Sequence, residues 1–116
     1  MESSWYRYKN GETIGQRGSE QGIIVHDEEH PLGARITLER NTSIAPFTIT
    51  CGIYECLVHT RFFALENEAS AEYGSMKDAL SVLLETVNKT CTSDEEGRKL
   101  RREFYDAVDE FVRIYP

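Results

Sequence analysis

Apolar and polar positions alternate with period two over the first half of the chain and recur every three to four residues over the second half. The first regime opens at Trp5-Tyr6-Arg7-Tyr8-Lys9, an aromatic run that meets Asn10-Gly11. Asn-Gly tolerates the positive φ angles of a tight turn, so this pattern predicts a short hairpin closing through Glu12-Thr13-Ile14. The glycine-punctuated stretch from Gly15 to Gly22 reads as a flexible connection. Gly22-Ile23-Ile24-Val25-His26 is the next strand, apolar on both faces and therefore central. Asp27 to Gly33, acidic and broken by Pro31, predicts a turn.

The cleanest alternation follows. Ala34, Ile36 and Leu38 point one way and Arg35, Thr37 and Glu39 the other, which describes a strand with one buried face. After a turn from Arg40 to Ala45, Pro46 starts the longest extended stretch, Phe47 through Phe63. Phe47, Ile49, Cys51 and Ile53 share a face opposite Thr48, Thr50, Gly52 and Tyr54. Beyond Glu55, Leu57, His59 and Arg61 alternate with Val58, Thr60 and Phe62. This exceeds the usual length of one strand, so either Gly52 bends a single strand or Tyr54-Glu55 turns a hairpin, and the hairpin is preferred.

From Glu66 the period changes. Tyr73, Met76, Leu80, Leu83 and Val87 form one apolar helical stripe, with Asn67 or Ser70 able to cap its start. Gly74 inside that helix predicts close backbone packing on the sheet, because glycine is otherwise unfavourable there. Thr92 and Glu95 have the spacing of a capping box, and Leu100, Phe104, Ala107, Val108, Phe111 and Ile114 make a second stripe. Strands followed by helices are the order of an α+β fold. The expectation is one domain over residues 1–116, with a four- to five-stranded antiparallel sheet and two antiparallel C-terminal helices packed on one of its faces.

Length and charge narrow the functions that such a domain can carry. A chain of 116 residues builds one core without needing a disulfide or a metal. Its net charge of −7 argues against nucleic acid as a partner, since a phosphate backbone demands a basic face. The basic cluster Arg98, Lys99, Arg101 and Arg102 is ringed by Glu95, Glu96, Glu103 and Asp106, the composition of a solvated helix face. No apolar run reaches the roughly 20 residues of a membrane span, and Met1 to Trp5 lack the features of a signal peptide. The 3 cysteines, an odd count, then read as reduced thiols, with the cytoplasm as the expected compartment.

Three patterns invite a chemical reading. His26 and His30, four apart with carboxylates between them, converge on a metal only if they lie on a helix. Ile23-Ile24-Val25 before them and Pro31 after them indicate strand and turn instead, so no metal is expected. Cys51, Cys56 and His59 contain a nucleophile and a base but no oxyanion loop, and Cys51 falls on the apolar face, so no catalytic residue is assigned. Gly15, Gly18 and Gly22 lack the lysine and the strand-to-helix context of a nucleotide loop, so no cofactor is assigned.

The sheet face opposite the helices is the most informative surface. By parity it carries Arg35, Thr37 and Glu39 beside Thr48, Thr50 and Tyr54, with His59 and Arg61 joining if the register allows. Arg35, Thr37, Thr50, Tyr54, His59 and Arg61 are therefore the candidate binding residues. The first expectation for function is a non-catalytic interaction domain that forms a homodimer through this open face. A second is a small-ligand-binding protein or minor enzyme, with a pocket between helices and sheet near Arg35, Tyr54, His59 and Arg61. A third follows from the small, acidic α+β character, which resembles bacterial immunity and inhibitor proteins. That resemblance implies a basic protein partner, met by Asp27-Glu28-Glu29 and the glutamate-rich helix starts.

Overall fold

The computed structural model describes residues 4–54, 56–88 and 95–116. Five strands form one sheet in chain order: β1 (Tyr6–Arg7), β2 (Ile23–His30), β3 (Ala34–Arg40), β4 (Phe47–Ile53) and β5 (Leu57–Phe63). Each neighbouring pair is antiparallel. Two helices follow, α1 (Glu66–Asn88) and α2 (Glu95–Ile114). This is the α+β arrangement that the change of period predicts, with both helices at the C-terminal end.

The stretch from Phe47 to Phe63 is a hairpin. The Cys56 amide donates to the Ile53 carbonyl at 2.9 Å, and β4 pairs with β5 from Ile53↔Leu57 to Phe47↔Phe63. β2 is longer than its apolar residues suggest, because the acidic segment extends the strand. The turn shrinks to Pro31-Leu32-Gly33, where Gly33 takes φ 106° and donates to the His30 carbonyl at 3.0 Å. Each carboxylate finds a partner that makes the extended backbone tenable: Asp27 with Arg35, Glu28 with Lys77, and Glu29 with Tyr6 and Tyr54.

The N-terminal hairpin expected at Asn10-Gly11 does not form. Tyr6 and Arg7 pair instead with Glu29 and Glu28 of β2, and the chain then turns through a short 3-10 segment, Tyr8–Gly11. Lys9, Asn10 and Gly11 adopt positive φ there, so the turn chemistry holds while its strand partner changes.

Ala34, Ile36, Leu38, Ile49, Cys51 and Ile53 make the sheet's contribution to the core. α1 sets Ala69, Tyr73, Met76, Leu80, Leu83 and Leu84 against them. α2 runs back along α1, adding Phe104, Val108 and Phe111, so that the Tyr115 hydroxyl beyond its end reaches Ser75 Oγ at 2.7 Å. Trp5 closes one margin of this core and donates its indole N–H to Ser81 Oγ at 2.9 Å.

Some local details differ from the sequence pattern. α1 begins at Glu66, which places Asn67 and Ser70 inside the helix; Glu66 and Glu68 instead present negative charge to its positive end. Gly74 is exposed, and a Cβ there would meet nothing within 4 Å, so the predicted close packing is absent and nothing in the structure explains the glycine. Thr92 of the capping box and Cys91 lie outside the described residues, as do the side chains of Val87, Arg98 and Leu100. No helix among the described residues is long and apolar enough to cross a membrane.

Candidate ligand pocket

The sheet face opposite the helices is not bare. The N-terminal segment from Tyr8 to Gly22 folds back over it, held by backbone bonds from Gly15 N to Ile24 O (2.8 Å) and from Ile24 N to Gln16 O (2.9 Å). This corrects the reading of Gly15 to Gly22 as a flexible connection: the glycines permit close approach. A Cβ on Gly18 would sit 2.4 Å from the Glu39 carboxyl group, and one on Gly22 would sit 2.6 Å from the Arg40 carbonyl. Glu39, fully buried, accepts from the Gly22 amide at 3.1 Å and the Glu20 amide at 3.2 Å, tying the segment down. Burial pushes the Glu39 carboxyl above its ordinary pKa, against the opposing pull of those amides.

Asp27 is the polar centre of this face. Its side chain is completely buried and accepts from Arg35 Nε (2.8 Å), Arg35 Nη2 (2.6 Å), Thr13 Oγ1 (2.8 Å) and Thr37 Oγ1 (3.2 Å). The Arg35 pair is bidentate, so the guanidinium is fixed in plane as well as in position. The bonds to Asp27 hold the Arg35 pKa above its usual value. Tyr8 stacks on the guanidinium with its ring centroid 3.7 Å from Arg35 Cζ. At the rim, Glu29 accepts from Tyr54 at 2.5 Å and from Tyr6 at 2.6 Å, which lowers the carboxyl pKa. Burial and Glu29 together raise the Tyr54 pKa.

Between this segment and β3–β5 lies a cavity of about 520 Å³. Arg35, Thr37, Thr50 and Tyr54 all line it, so the register brings four of the six candidate residues to one place. The Thr37↔Thr50↔Thr60 pairing explains why: strictly paired residues point to the same side of a sheet. Thr50 Oγ1 is buried and has no hydrogen-bond partner among the described residues. Ile24, Leu57 and Val58 give the walls an apolar component, while Lys9, Thr13, Gln16 and Arg17 come from the covering segment.

His59 and Arg61 are elsewhere. Their partners are Cys51 and Ile49, so both point to the helix side. There His59 Nε2 meets the Tyr115 carbonyl, and Arg61 Nε donates to the Pro116 carbonyl at 3.0 Å. Arg61 also pairs with Glu72 at 3.3 Å. Both residues therefore secure the end of α2, and the expected pocket joining them to Arg35 and Tyr54 is divided by the sheet itself.

The remaining sequence candidates have structural environments. His26 and His30 lie along β2: His26 packs on Tyr73, while buried His30 accepts the Leu32 amide on Nδ1 and meets Trp5 edge to face. Of the two histidines, His26 is exposed and His30 is buried. Cys51 is a core residue whose thiol burial pushes up to about 12, far from a reactive thiolate. Sequence reasoning missed Asp27 and the covering residues Tyr8, Thr13 and Arg17. Asp27 had a signal, because a hairpin centred on Pro31-Gly33 sets it opposite Thr37 and next to Arg35. The covering segment had none. No protein-family model, no curated protein and no solved structure matches the chain, so the chemistry of this pocket rests on its own residues.

Proposed function

We propose that this chain is a non-catalytic small-molecule-binding domain whose ligand sits between the sheet and the covering segment. One observation carries the reading: a cavity of about 520 Å³ into which Arg35, Thr37 and Tyr54 converge and where the buried Thr50 hydroxyl has no partner among the described residues. The volume is within the range of about 300–1,000 Å³ usual for small-molecule sites, and an apolar wall with a few fixed polar groups is their usual construction. An unsatisfied buried hydroxyl costs about 1–3 kcal/mol, which a ligand acceptor or donor recovers. A thermal-shift screen of a chemically mixed fragment set tests this. Hits must stabilise the wild type and lose their effect in Val58→Trp, where the exposed Val58 tolerates an indole that closes the pocket mouth. A screen without such hits rejects the proposal.

Self-association is the second reading, favoured by β5. This edge strand presents Val58 at 82% exposure and Phe62 at 48% on the face away from the helices, beside an unpaired backbone edge. Because the covering segment occupies the centre of that face, a homodimer contact would use this margin. Light scattering over a wide concentration range tests it: a concentration-dependent mass abolished by Val58→Lys supports it, and a constant monomer mass rejects it. The free thiols of Cys51 and Cys56 support a reducing compartment such as the cytoplasm, and the net charge of −7 supports partners other than nucleic acid or an anionic membrane.

A further inference from the structure

We infer that the ligand is a small organic anion, a carboxylate or phosphate ester carried on an apolar body; this rests on the pocket being the binding site proposed above. The chain has 20 acidic and 13 basic side chains, yet the described walls of the pocket contain Lys9, Arg17 and Arg35 and no carboxylate. A wall sampled evenly from this sequence would have the opposite sign. The nearest buried acids are turned to other work: Asp27 grips Arg35 from behind, and Glu39 faces the amides of Glu20 and Gly22.

The three cations differ in what they offer. Asp27 compensates the charge of Arg35, which therefore supplies oriented N–H groups more than net charge. Arg17 donates from Nη1 to the Gln21 carbonyl at 3.2 Å, an acceptor that anchors the guanidinium without neutralising it. Lys9 has its ammonium 5.6 Å from the Tyr8 ring centroid and forms no salt bridge among the described residues. The covering segment has Glu12 and Glu20 as well, but neither lines the pocket, so the charge it presents to the pocket is that of Lys9 and Arg17, beside a wall of low polarity that screens it weakly. An anionic head at Arg17 and Lys9, with the apolar body against Ile24 and Val58, uses both halves of the pocket. A cationic head meets repulsion there, and a neutral one gains no charge complement.

Four aromatic probes of similar size separate the possibilities: phenyl phosphate, phenylacetate, benzyl alcohol and phenethylamine, titrated into the full chain while the amides of Thr37, Thr50 and Val58 are followed by NMR. At least one anion should bind about tenfold more tightly than benzyl alcohol, and phenethylamine should bind more weakly still. The stronger of the two anions identifies phosphate or carboxylate as the head group. Arg17→Gln and Lys9→Gln, at exposed positions that the fold tolerates, should each weaken the anion about fivefold, and added salt should weaken it further. Both substitutions should weaken benzyl alcohol by a smaller factor than they weaken the anion. Benzyl alcohol binding as tightly as both anions, with the same amides shifting, overturns the anion assignment and leaves the pocket a binding site. No shift at these amides with any probe overturns both.

Discussion

Removing the Asp27 carboxylate should unseat the pocket and cost a large share of the domain's stability. In Asp27→Ala, the Arg35 guanidinium loses both of its charge-assisted bonds and the hydroxyls of Thr13 and Thr37 lose their acceptor. Breaking a buried ion pair from one side costs about 3–5 kcal/mol, because the remaining charge is left uncompensated. The Arg35 side chain is 35% exposed while that of Asp27 is 0% exposed, so water recovers part of the loss on the arginine side. The lower end of the range, about 3 kcal/mol, is therefore the expectation. A domain of ordinary stability has about 5–15 kcal/mol in total, so Tm should fall by about 10 °C or more. Urea unfolding followed by the fluorescence of Trp5, the single tryptophan, measures it directly. Asp27→Asn keeps the shape and removes the charge. In a double-mutant cycle with Arg35→Gln it should return a coupling above about 1.5 kcal/mol. A loss below about 1 kcal/mol in Asp27→Ala, or a coupling near zero, would refute the reasoning.

Three further outcomes follow from other parts of the structure. Thr50→Val should raise stability by about 1 kcal/mol, or roughly 4 °C in Tm, while weakening ligand binding, because it replaces by a methyl a buried hydroxyl with no partner among the described residues; a clear loss of stability by thermal unfolding would mean the hydroxyl is already satisfied. Glu39 has a raised folded pKa, so the unfolded chain ionises first and the native state loses relative stability as pH rises from below 4.5 through the raised value. The Tm of the wild type should therefore fall relative to Glu39→Gln across that window, and a gap that moves the other way counts against a buried carboxylate. Finally, iodoacetamide followed by peptide mapping should modify exposed Cys56 well before Cys51, which stays protected until denaturant is added; equal rates would contradict the burial of Cys51.

The sequence pattern is a reliable guide wherever one side of an element is buried and the other wet. Ala34, Ile36 and Leu38 against Arg35, Thr37 and Glu39 fix the faces of β3, and the parity of Thr50 and Tyr54 carries straight through to the pocket. Parity alone does not give register across a turn. His59 and Arg61 alternate correctly with Val58 and Thr60, but only the pairing Cys51↔His59 decides that they face the helices. The acidic run Asp27-Glu28-Glu29 is strand because its partners come from Arg35, Lys77, Tyr6 and Tyr54, most of them distant in sequence. Composition within the run reads as a turn because it contains none of those partners. The covering segment is the deepest omission. Its glycines mark where backbone must approach Glu39 and Arg40, and that purpose is invisible until the sheet beneath it exists.

The most direct test of the ligand pocket is an amide chemical-shift map recorded with the strongest stabilising fragment. The largest shifts should cluster at Tyr8, Gly18, Thr37, Thr50, Gly52 and Val58, with Ala69, Leu80 and Phe104 on the helix side unmoved. Shifts centred on His59, Arg61 and the end of α2, or scattered over both faces of the sheet, would contradict a binding site between the sheet and its covering segment.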